Sequence, residues 1–180
     1  MTYEALIHRS QEHLSRHPAL VPTGLSIHMF AIGARWMLNR LNELNRDREI
    51  EFDGSVLFGW YGGLKYGICL SAFVGSAVVL AGWSLWLSPL SILIFYWFEI
   101  HFLFLFPLLL DRVKDPVWTS MQQTYKIGIC RALITVIPIA LFMLIGLFHP
   151  RAPYRNWHVG CLAIIIWYND EVRNRVWSFV

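Results

Sequence analysis

Glu99 is a carboxylate in the middle of an apolar run, and it carries the first chemistry this sequence offers. Residues 66–110 are 45 positions with no other Asp, Glu, Lys or Arg. If that run lies in a membrane, an acid near its centre costs about 2.5–3.5 kcal/mol even on lenient insertion scales, so it must be protonated, paired or facing water. Counting along two adjacent spans puts Ser76 at nearly its level, Tyr96 one turn back on its own face, and Thr135 within a further turn. The expectation is a neutral Glu99 hydrogen-bonded to Ser76 or Tyr96. His101 lies two positions on and about 200° round a helix, so the two cannot share one metal or form one acid–base pair. His101 alone has the chemistry of an axial ligand to a haem or chlorin, against the plainer role of a hydrogen-bonded packing residue.

A second constellation gathers where apolar runs end. Asp111, Asp115, Asp170 and Glu171 are all placed to meet Arg112 and Arg131 on one side of a membrane. Carboxylates at headgroup level can hold Mg²⁺ against a lipid phosphate, which would make Asp111, Arg131, Asp170 and Glu171 the catalytic candidates. The plainer expectation is exposed acid–arginine pairs, with Arg131 reaching toward Asp111. Three cysteines follow glycines, in Gly67-Ile68-Cys69, Gly128-Ile129-Cys130 and Gly160-Cys161. Small residues of this kind favour helix packing over palmitoylation, redox or zinc chemistry, since no CxxC pair accompanies them. His13 and His17 stand four apart but lack a carboxylate at ligand spacing, so no metal site is expected there. No resident cofactor is expected, with haem or chlorin at His101 and Mg²⁺ at the rim as alternatives.

The elements that position these residues follow from hydropathy. Apolar residues make up 56%, and charged residues 15% against about 25% in soluble domains. The fold class expected is all-α, a polytopic integral membrane protein with four transmembrane helices at about 66–87, 89–110, 127–148 and 155–170. Ser88-Pro89 breaks the first run and opens the second, which makes the two a tight hairpin. The apolar stretch in the fourth, residues 157–168, is short for a crossing, so three spans plus a half-inserted helix is the alternative. Ser71 and Gly75, with Gly82 and the pair Ala77 and Ala81, form small-residue ridges expected to let the second helix approach. Pro107 is expected to kink that second helix just before it exits. Residues 111–125 read as a polar loop.

Residues 1–64 show no signal-peptide layout and form a separate, cytoplasmic or interfacial helical region preceding the bundle of 65–180. Residues 4–17 suit a short polar helix, and Ser26 to Asn45 an amphipathic one. The Gly- and aromatic-rich stretch Ile50 to Tyr66 reads as an irregular entry into the first span. With the N-terminus cytoplasmic, Arg46, Arg48, Lys65, Arg112, Lys114, Lys126, Arg173 and Arg175 face inward and only Arg151 and Arg155 outward. That is the positive-inside pattern, here of a bacterial inner membrane.

No complete catalytic or cofactor motif is present, and whether the chain is an enzyme stays open. The leading functional expectation is a non-enzymatic accessory or assembly subunit of a larger membrane complex, since the second helix presents rings on every side. A lipid-modifying enzyme or lipid carrier at the cytoplasmic rim is the alternative, and a haem- or chlorin-binding subunit the second. The partners expected are membrane lipids and other membrane subunits or a second copy. A net charge of +3 gives no nucleic-acid footprint.

Overall fold

A computed structural model describes residues 2–16, 29–45, 50–148, 154–173 and 175, and every element among them is helical. The chain opens with α1 (Tyr3–Arg16) and α2 (Met29–Leu44), and α3 follows over Phe58–Trp83. α3 thus begins within the Gly- and aromatic-rich stretch that reads as irregular in sequence. Uninterrupted helix formation there takes its start to Phe58 rather than residue 66. It stops at Ser84, whose extended backbone donates its N–H to Leu80 O.

The reversal therefore falls at Ser84, four residues ahead of Ser88-Pro89. A 3₁₀ segment (Leu85–Leu90) carries Pro89 and leads into α4 (Ser91–Glu99). A second 3₁₀ turn (Ile100–Phe102) interrupts the helix, and α5 (Leu105–Leu110) completes the run. Pro107 lacks an N–H, and its ring clashes with the carbonyl four residues back, at Leu103. The distortion accordingly sits over residues 100–104 rather than at the exit, as the sequence alone suggests.

Residues 111–125 are not a loop. α6 (Pro116–Ile127) starts on a proline in its first turn, after Arg112 and Asp115 in left-handed geometry, and ends on Gly128 at φ 99°. It buries Pro116, Ser120, Gln123, Thr124 and Ile127, a helical spacing. α7 (Ile129–Leu147) and α8 (Arg155–Trp167) form an antiparallel pair, and a π segment (Tyr168–Arg173) extends α8. Gly160 lies where an added Cβ would meet Met143, and Gly146 where it would meet Asn156, so both glycines permit close approach.

Among the described residues, three stretches are long and apolar enough to cross a membrane: Phe58–Trp83, Leu85–Leu110 and Ile129–Leu147. That is compatible with an integral membrane protein. α8 has 13 residues and is not one of the three; α1, α2 and α7 pack around it, and it buries eight of its residues. Exposure along the second stretch changes abruptly at Glu99. Leu93 and Trp97 are 54% and 46% exposed, whereas Ile100, Phe104, Leu105 and Leu108 are at 0%. The upper half faces outward, and the lower half is enclosed by protein.

Candidate functional site

Glu99 ends α4 on the side facing α3, and its partner there is a cation. Lys65 Nζ lies 2.7 Å from Glu99 Oε1, and Cys69 Sγ lies 3.6 Å from Oε2. Both members of the pair are largely buried, with side chains 7% and 16% exposed. The ammonium also rests against the rings of Tyr66 and Phe106, at 5.5 and 5.7 Å from their centroids. A cation at the C-terminal end of a short helix suits the dipole as well.

This corrects the expected hydroxyl partners. Ser76 Oγ donates to its own helix, at Ala72 O and Phe73 O (2.7 and 2.9 Å), and Tyr96 packs edge-on against Phe95 at 5.3 Å. The physical reason is the position of the reversal. Measured down from Trp83, the last residue of α3, Ser76 is about 11 Å along the helix, Cys69 about 21 Å and Lys65 about 27 Å. On the other leg the 3₁₀ segment rises about 2.0 Å per residue, which with α4 puts Glu99 about 25 Å down. Glu99 is therefore level with Cys69 and Lys65, two turns below Ser76. Thr135 is buried on α7.

His101 turns the other way, to α6. Its Nδ1 lies 2.7 Å from Trp97 O, and its Nε2 lies 3.3 Å from the Tyr125 hydroxyl. Axial ligation by Nε2 would require Tyr125 to withdraw. Beside it the broken backbone is closed by two hydroxyls. Ser120 Oγ donates to His101 O (2.8 Å) and accepts from Phe104 N–H (3.2 Å), and Thr124 Oγ1 donates to Ile100 O (2.8 Å). Irregular backbone inside a membrane protein persists where neighbouring side chains complete its hydrogen bonds, and here α6 supplies them.

At the rim the structure pairs Asp111, Asp170 and Glu171 with arginines, in combinations other than those expected. Asp111 is met by Arg173, with Nη2 3.0 Å from Oδ1 and Nε 3.1 Å from Oδ2, while Tyr168 donates to Oδ2 at 2.6 Å. Both side chains are almost completely buried, at 1% and 0% exposed. Arg131 reaches Glu171 (2.6 Å), not Asp111, because Arg173 already occupies that carboxylate. Asp170 is bound by Arg9 of α1. Asp115 is exposed at the start of α6, and Arg112 lies 3.7 Å from Asp53. Asp53 itself is held below the usual carboxylate range by the hydroxyl and N–H of Ser55. His13 faces Glu43 at 2.9 Å, and His17 lies outside the described residues. Among the described residues, no three His, Cys, Asp or Glu side chains converge as a metal site would require.

One pattern escapes a reading of the sequence that starts α3 at residue 66. Gly59, Gly63, Gly67, Ser71 and Gly75 recur every four residues, and all five are exposed. A Cβ added at any of the four glycines meets nothing within 4 Å. Lys65 and Cys69 occupy the opposite side of α3. The Ser71 and Gly75 ridge therefore faces away from α4, not toward it. No family model, curated protein or solved structure matches the chain.

Proposed function

We propose that this chain is a non-enzymatic integral membrane subunit that assembles with another transmembrane helix, with its N-terminus on the cytoplasmic side of a bacterial inner membrane. The observation that supports it is the open small-residue face of α3. In hydrocarbon, helices associate through van der Waals packing and close backbone approach, and a helix surface of Gly and Ser at every fourth position supplies the shape for both. α3 presents roughly two turns of that surface, Gly67 to Gly75, on the apolar side of Lys65, while its other side is committed to α4 and α2.

The topology proposed with it has four crossings. The fourth is α8 with its π extension, which returns beside α7 from Asn156 at Phe142 O to Glu171 at Arg131. α1 and α2 form the N-terminal helical region, α2 burying Ala34, Leu38 and Leu41 while leaving Arg35 and Asn39 exposed. The excess of basic residues at that end supports the orientation.

The test is size-exclusion chromatography with light scattering in mild detergent. Wild type is expected in an assembly larger than its own 21.0 kDa. Gly67→Ile with Gly75→Ile is expected to release the chain as a folded monomer. A wild-type chain that is already monomeric in native membranes, by cross-linking, would overturn the proposal.

A further inference from the structure

We infer that the outward face of α6 near the break, Gln122 to Lys126, meets the phospholipid headgroups and that the hydrocarbon of the bilayer begins at the break in the second stretch, not at Leu110. This rests on the membrane reading above and adds where the boundary falls and which face meets the headgroups.

Three lengths agree on it. From Lys65 to Trp83, α3 measures about 27 Å. The 3₁₀ segment and α4, Leu85 to Glu99, measure about 25 Å. α7, from Ile129 to Leu147, measures about 27 Å. Each matches a hydrocarbon core of about 30 Å, and each carries exposed large apolar side chains. At their far ends Trp83, Trp86 and Phe148 are 84%, 92% and 88% exposed, as side chains anchored at the opposite headgroups would be. At their near ends stand Lys65, Glu99 and Gly128.

Beyond that level no apolar surface is offered to lipid by the second stretch. Its residues 100–105 and 107–110 are buried, and the outer surface around them is mixed: Arg35, Asn39, Lys114, Asp115, Gln122 and Lys126 are exposed, alongside Ile32, Leu57 and Trp60. α6 forms the rim of this surface. Its outward face joins Trp118 and Tyr125, 60% and 54% exposed, to Gln122 and Lys126, the mixture of amphipathic rings and cations that interfacial helices carry. The face is continuous with the outward face of α4, since Tyr125 and Trp97 both pack on His101, at 5.6 and 5.9 Å between centroids. A partner helix in hydrocarbon would find no small-residue or purely apolar stripe here, so headgroups are the occupant this chemistry fits.

The experiment is a spin-label depth measurement on the full chain in vesicles of phosphatidylcholine and phosphatidylglycerol, in a Cys130→Ser/Cys161→Ser background. Labels go at Gln122→Cys and, as a reference on α3, at Val78→Cys. Collision with oxygen against a nickel chelate is expected to place position 78 in hydrocarbon and position 122 at phosphate depth. A label at 122 as accessible to nickel as free label in water, as oxygen-dominated as position 78, or shielded from both probes overturns the inference. A nickel-dominated label at 78 would instead remove the membrane reading on which it rests.

Discussion

Lys65 and Glu99 show how a buried charge is tolerated at the edge of an apolar layer. Each removes the need for the other to be solvated, and removing one alone leaves an uncompensated charge. Glu99→Gln is expected to lower unfolding free energy by about 3–5 kcal/mol in detergent denaturation, and Lys65→Met combined with it to recover a large part of that loss. Additive losses in the double variant would show that the two groups are not coupled. The same logic applies at Asp111, where Arg173 and Tyr168 both bind one carboxylate. Asp111→Asn there is expected to cost about 3–5 kcal/mol, read by the same titration. None of these partners could be paired by counting along the chain. The count depends on where a helix reverses, and a shift from Ser88 to Ser84, with a change in rise per residue, moves the facing residue by two turns.

At the scale of elements, the informative unit is the break between α4 and α5 with α6 laid against it. Its carbonyls at Ile100 and His101 depend on Thr124 and Ser120. Ser120→Ala or Thr124→Val is expected to leave a buried carbonyl without a donor, at about 1–3 kcal/mol each, and Thr124→Ser to be close to neutral. Hydrogen exchange over residues 100–104 checks this; protection unchanged in both alanine and valine variants would refute it. The turn ahead of α3 carries the pH dependence. Asp53 is held ionised by Ser55, so its contribution is present above the unfolded carboxylate pKa and is lost as pH falls through the lower folded value. Acidification below about pH 4 is expected to loosen the contact of Arg112 with Asp53, visible as a shift of the Asp53 carboxyl resonance with the Arg112 side chain. α6 hid in the sequence because its buried face is made largely of Ser, Gln and Thr, of which Ser120 and Thr124 answer backbone groups rather than fill an oily core.

For the whole molecule, α3 separates two kinds of glycine. Gly62 faces inward, where an added Cβ would come within 2.6 Å of Phe30, whereas Gly67 faces open space. Gly62→Val is expected to destabilise the folded chain by an overpacking cost of about 1–3 kcal/mol. Gly67→Val should leave the melting temperature of the isolated chain nearly unchanged and alter its state of assembly instead. Equal destabilisation by both would mean that the outer face is already covered within the chain. This places the proposed function on a surface and not in a pocket. The acids Asp111, Asp170 and Glu171 at the rim are matched by arginines, and the carbonyls of Ile100 and His101 at the break are matched by Thr124 and Ser120.

Hydropathy by itself determined that the chain is helical and that its runs suit a membrane, because a long stretch of apolar side chains has few other stable environments and local composition reports it directly. The spacing also separated Glu99 from His101, since a helix turns about 100° per residue wherever it lies. Tertiary structure decided everything that depends on one segment facing another. Lys65 rather than Ser76 meets Glu99, Arg173 rather than Arg131 meets Asp111, and the glycine face of α3 points out instead of in. Pairing across elements depends on where each helix starts, stops and breaks, and at the break over residues 100–104 the backbone is completed by α6 side chains that no local pattern records.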